Sequence, residues 1–169
     1  MNRLDHDHDF AAMLVVALDS GLLSLSEAVA VIDREIAEHP SPPAWLLDAS
    51  LATQQEDMLG HARRGAEDHP AVSDLAVWID AVDIALARGR SPEGLGARLL
   101  RVKTCGEGPY ELTGVMWDLD EEVGCAHATG GVPQSEAVAR AIRDVASASP
   151  RSEWRAALET IGGTEVRGE

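Results

Sequence analysis

Between residues 70 and 89 the chain reads PAVSDLAVWIDAVDIALARG. On a helix turning about 100° per residue, Val72, Leu75, Trp78, Ile79, Ala81, Val82, Ala85 and Leu86 cover one half. Ser73, Asp74, Asp80, Asp83 and Arg88 fall on the other. Pro70 suits a first turn, where its missing N–H would have no partner, and Gly89 suits the left-handed residue that ends a helix. An apolar face half a circumference wide needs several packing neighbours. The pattern therefore predicts the central helix of a bundle.

The same reading resolves the rest of the chain into helices. Asp9–Leu18 is apolar on every side, which predicts a short, buried first helix ending at Gly21. Ser24 stands three residues before Glu27, the spacing of a capping box, and the helix that follows carries Leu25, Ala28, Val29, Ile32 and Ile36 on one stripe. Prolines 40, 42 and 43 stop it and lead into Trp45, Leu46, Ala49 and Leu51. Thr53 and Glu56 repeat the capping spacing, so a break near residue 53 precedes a helix burying Met58, Leu59 and Ala62, and Gly65–His69 links that helix to the central one. Ser91-Pro92-Glu93 opens another helix, which Gly94 and Gly96 weaken. After a loop at Cys105–Pro109, Leu112, Val115, Met116, Leu119 and Val123 recur at helical spacing. A second loop at Gly130–Pro133 precedes a helix from Ser135, and Ser149-Pro150 starts the last one, with Trp154, Leu158 and Ile161 inward.

No stretch alternates polar and apolar residues as a half-buried strand does. The expectation is an all-α, single-domain bundle of about eight or nine short helices over residues 1–161, with a frayed tail over 162–169. At 169 residues such a domain buries enough apolar surface to be stable without a disulfide or a metal. Trp45, Trp78, Trp117 and Trp154 act as its bulky fillers.

Charge changes the picture more than composition does. The net charge of −15 is uneven: residues 1–60 carry eleven acids against two bases, residues 61–110 seven of each, and residues 111–169 eleven against five. Such a field repels nucleic acid and anionic membranes and speeds encounter with basic partners. It also simply keeps a protein soluble, and the sequence leaves both readings open. The longest early uncharged run, Phe10–Leu18, is too short to cross a bilayer, and Asp5, Asp7 and Asp9 have the wrong charge for a signal peptide. With only Cys105 and Cys125, the chain reads as cytoplasmic with reduced thiols.

Few residues suggest chemistry. Asp5-His6-Asp7-His8-Asp9 contains metal-ligand types, but Phe10 and Val16 occupy the turn and bidentate-acid positions of a calcium loop. The alternative is a polar leader at a chain end, without fixed geometry, whose Asp7 or Asp9 caps the first helix. Asp118, Asp120, Glu121 and Glu122 form the densest acidic group, with Asp118, Glu121 and Glu122 sharing a helix face. Glu27, Glu35 and Glu38 face away from the apolar stripe of their helix. Cys125 and His127, as second neighbours, do not face each other on a helix. His39, His61 and His69 lie near helix ends, where partial exposure is ordinary. Arg88, Arg90, Arg98, Arg101 and Lys103 form the one basic cluster, either pairing with acids of the same molecule or binding a phosphate. There is no phosphate loop, no dinucleotide fingerprint and no nucleophile elbow. No catalytic residue, cofactor or metal is expected.

Gly21-Leu22-Leu23, Ser26-Glu27-Ala28 and Asp33, followed by Pro42–Leu47 and Ser50-Leu51-Ala52, resemble small helical bacterial proteins. These are the immunity partners of polymorphic toxins and related uncharacterised families. The resemblance covers residues 21–52 and carries over no functional residue. It implies a non-enzymatic antagonist. Together with the acidity it leads to the expectation of a binding module for a protein with a basic surface. The residues expected to contact that partner are Glu27, Glu35, Glu38, Asp118, Asp120, Glu121 and Glu122. A small metal-dependent hydrolase using His6, His8 and nearby carboxylates is the alternative, and a self-assembling helical module is a third.

Overall fold

Eight consecutive residues of the first helix, Ala11–Leu18, are each 3% exposed or less. No other segment of the computed structural model, which describes residues 3–103, 110–129 and 133–163, is enclosed so completely. This helix, α1 (Arg3–Ser20), begins well before the apolar run. The Asp/His leader is therefore not a loose end: it is the first turns of α1, and its geometry is fixed. Gly21, at φ +84°, ends the helix in the left-handed conformation.

Ten helices are present among the described residues, and no strand. α2 (Leu25–Glu38) opens with the predicted capping box: the Glu27 amide donates to the Ser24 hydroxyl while the Ser24 amide donates to the Glu27 carboxylate. α3 (Ala44–Ser50) and α4 (Gln55–Gly65) follow the prolines. The stretch expected to form one central helix is two: α5 (Pro70–Ser73) and α6 (Leu75–Ala87). Asp74 separates them. Its backbone is extended, at φ −81° and ψ 112°, and its carboxylate accepts from the Ala76 amide to cap α6. The indole of Trp78 reaches back across the break and donates to the Val72 carbonyl at 2.8 Å. α7 (Pro92–Lys103), α8 (Tyr110–Thr129), α9 (Pro133–Ala148) and α10 (Arg155–Gly162) complete the order. The first expected loop, residues 130–132 of the second and the tail beyond residue 163 lie outside the described residues, while Pro133, expected in the second loop, opens α9. Gly162, assigned to the tail, is buried at the end of α10.

α1 is the pillar of the assembly. It touches α2, α4 and α5 on one side, and α6, α7 and α10 on the other. On the first side α3 packs on α2 and α4; on the second α8 packs chiefly on α9, and α9 on α7 and α6. α6 is thoroughly buried but serves mainly the second half. The centre is thus α1, whose apolar residues surround its axis, where α6 carries charge on one side.

That charge is not all outward. Asp80, expected on the solvent half of its helix, is 2% exposed. Its carboxylate accepts from the Ser152 amide and hydroxyl, both at 2.8 Å, and from Arg155 at 2.7 Å and Arg151 at 3.2 Å. Burial pushes this carboxyl up, but the bonds from Ser152, Arg155 and Arg151 outweigh it and hold Asp80 below the ordinary aspartate value. The start of α10 is clamped to α6 by these bonds, and Asp83 receives both arginines beside it.

Candidate partner-binding surface

The apolar stripe of α8 is Val115, Met116, Leu119 and Val123, and it is this stripe that packs on the bundle. At 100° per residue Trp117, Asp120, Glu121 and Gly124 fall opposite it. Trp117 is 63% exposed, the largest aromatic surface among the described side chains. Asp120 and Glu121, three and four residues on, flank the indole on the same exposed face, and Asp118 is exposed beside it. Glu122 is half-buried, closer to the packed side than its three neighbours. None of these four acids makes an ion pair among the described residues. The arrangement is a bulky, amphipathic ring framed by three outward carboxylates, the composition of an interface anchor with an acidic rim. Trp117 was expected to fill the core; the signal that places it outside is its angle from the Leu112–Val123 stripe.

The acids of α2 are placed differently. Glu27 is held by its own molecule: it closes the capping box, pairs with Arg88 at 3.5 Å and hydrogen-bonds Arg90. Partial burial raises the Glu27 pKa, but the Ser24 hydroxyl and amide and then Arg90 more than reverse this, so it lies below the ordinary glutamate value. Glu35 pairs with His6 at 3.2 Å and is partly covered. Glu38 is exposed. Glu27 and Glu35 thus have internal uses that steering a partner does not require, and the structure does not gather the seven acids into one patch.

The Asp/His leader joins elements together. His39, buried where α2 ends, accepts at Nδ1 from the Ser41 amide at 3.1 Å, so its Nε2–H donates to Asp7 at 3.0 Å. His69, equally buried as the cap of α5, accepts at Nδ1 from the Ala71 amide at 3.2 Å and donates from Nε2 to Asp9 at 3.1 Å. Both histidines were expected to be partly exposed; they are buried because each caps a helix end that α1 covers. His8 reaches the Glu67 carbonyl at 2.9 Å and lies edge-on to the His69 ring, which also meets Trp154 edge-on. With both nitrogens of each buried imidazole engaged, neither can coordinate a metal without breaking a structural bond. No group of three His, Cys, Asp or Glu among the described residues is arranged to hold one. The leader ties the first turns of α1 to α2 and to the α4–α5 connection.

The basic cluster divides in the same way. Arg88 and Arg90 serve Glu27 and the Leu22 carbonyl. Arg98 caps the carbonyl end of α1, donating to Asp19 O at 2.7 Å and Leu18 O at 3.3 Å. Cys105 lies outside the described residues, as do the side chains of Lys103, Cys125 and His127. No described helix is long and apolar enough to cross a membrane.

Comparison with protein-family models, with curated proteins and with solved structures finds no match to this chain.

Proposed function

We propose that this chain is a non-enzymatic binding protein whose α8 face, Trp117 with Asp118, Asp120 and Glu121, docks on a basic surface of a partner protein. The observation that carries the reading is the exposed indole on the same helix face as carboxylates that make no ion pair among the described residues. A ring that could fill a core is 63% exposed, and Asp118, Asp120 and Glu121 are exposed on the same helix. Tryptophan and arginine dominate binding hot spots, and rim carboxylates act on encounter and orientation. The partner then presents arginine or lysine around a recess that accepts the ring. The resemblance of residues 21–52 to immunity proteins supports an antagonist of a basic toxin as the biological setting, with the acidic field drawing the two together.

The reading is tested by exchanging Asp118, Asp120, Glu121 and Glu122 for their amides, which keeps the shape and removes four charges. Folding stability should change little, because exposed charges contribute under about 1 kcal/mol each. A partner isolated with the unaltered protein should associate more slowly with the variant, and its salt dependence should flatten. Equal association rates for both forms would remove the case for a steering surface.

A further inference from the structure

His39 and His69 are bonded alike, yet a proton would act on them differently. Each donates from Nε2 to an aspartate of α1, Asp7 at 3.0 Å and Asp9 at 3.1 Å. Each accepts at Nδ1 from the backbone amide two residues on, Ser41 at 3.1 Å and Ala71 at 3.2 Å. A neutral imidazole can do both at once, whereas an imidazolium is a donor at both nitrogens. A proton arriving on Nδ1 therefore sets donor against donor there, while the bond to the aspartate survives and gains charge.

The two sites differ in where the displaced amide can go. Ser41 is exposed, so its N–H can turn to water. His39 also ends α2, and the carbonyl end of a helix favours a cation. Ala71 is 1% exposed, and its N–H is buried with the ring that caps it. A buried donor that loses its acceptor carries its full desolvation penalty. The cap is also a large part of what holds α5, because a turn of four residues has few bonds of its own.

The groups facing the His69 ring pull in both directions. Asp9 and the ring of Trp154, at 5.1 Å, suit a cation. His8 of α1, at 4.8 Å, repels one once it is itself charged, and its Nε2 bond to the Glu67 carbonyl permits that charge. Arg63 of α4 lines the same recess and is paired with Asp19; Asp68 lines it too and is exposed to screening water. Arg155, next to Trp154, is taken up by Asp80 and Asp83. Whichever way these set the proton's affinity, its arrival on Nδ1 removes the acceptor from Ala71.

We infer that His69 is an acid-operated cap: its protonation frees the α5 turn, and with it Val72, while Asp9 keeps the ring on α1. The Val72 carbonyl is the acceptor for the Trp78 indole, so the release reaches the start of α6. The device lies on α1, α5 and α6 and does not involve the α8 surface.

Nuclear magnetic resonance of the full chain from about pH 8 to 5, the range in which histidine changes charge, tests this. Imidazole nitrogen shifts follow the proton on His69, and amide exchange, corrected for its intrinsic pH dependence, follows Ala71. As His69 takes its proton, protection at Ala71 should fall by about tenfold or more, the loss of one buried hydrogen bond. His39→Asn should leave this transition in place. In His69→Asn the amide oxygen can accept where Nδ1 did, so Ala71 should stay protected at every pH in the range. The inference is overturned if His69 gains its proton with Ala71 still protected, if neither changes down to pH 5, or if His69→Asn loses Ala71 protection with the same midpoint.

Discussion

Trp117 and Asp80 each reverse what their residue types usually do, and the two reversals have different consequences. An exposed indole contributes little to folding, so Trp117→Ala should shift the unfolding free energy by under about 1 kcal/mol in urea titration. The same truncation should weaken partner binding by about 2 kcal/mol or more if the ring is an anchor. A stability loss larger than the affinity loss would return Trp117 to the core. Asp80 behaves oppositely. Removing its carboxylate leaves Arg151 and Arg155 facing a void at the start of α10, and Asp80→Ala should cost about 3 kcal/mol at pH 7. The sign with pH follows from its lowered pKa. The contribution is complete above the ordinary aspartate value of about 3.9 and is lost as pH falls through the lowered folded-state value. Stability measured for the unaltered protein and for Asp80→Asn should therefore differ by a constant amount between about pH 7 and 5 and converge below about pH 4. A gap that persists in stronger acid would show that the carboxylate charge is not what holds α10.

At the scale of elements, several helix starts and stops were legible because they depend on neighbours in the chain. Not all were: α4 is capped at Gln54 without a side-chain bond rather than by a Thr53–Glu56 box, and α10 begins at Arg155 rather than at Ser149-Pro150. The Ser24–Glu27 box, Gly21, the prolines after His39 and Pro92 all act where the pattern puts them. What the pattern could not supply was the third dimension. Asp74 breaks the predicted long helix by capping α6, and nothing in the apolar periodicity registers that choice. The leader looked unstructured because its partners, Glu35, His39, Glu67 and His69, lie about thirty to sixty residues away. Gly96 shows the same limit. In the sequence it only weakens α7; in the fold a side chain there would meet Val123 of α8 at 2.8 Å and Val138 of α9 at 3.1 Å. Gly96→Ala should accordingly cost about 1–3 kcal/mol by forcing these helices apart. Gly94→Ala, whose nearest neighbour would be the Ser91 hydroxyl at 3.9 Å, should instead stabilise by about 0.5–1 kcal/mol. Thermal or chemical unfolding of the two variants gives opposite signs if α7 packs as described, and equal signs if it does not.

Over the whole molecule, an all-α bundle follows from the absence of alternating segments and the abundance of helical stripes, and the observed architecture agrees. The surface was less legible. Counting acids locates charge along the chain, but only packing separates the acids that close internal bonds, such as Glu27 and Asp80, from those that face outward, such as Asp118, Asp120 and Glu121. The indole among the latter turns a solvated helix face into a candidate interface. The most direct measurement is the association and dissociation kinetics of the partner retained by the unaltered protein, over a range of salt, against the four-amide variant and Trp117→Ala. The account predicts that the amide variant slows association and flattens its salt dependence, since exposed charges are screened within about 8–10 Å at physiological ionic strength. It predicts that Trp117→Ala acts mainly by speeding dissociation. A partner that binds all three forms with the same two rate constants would contradict it.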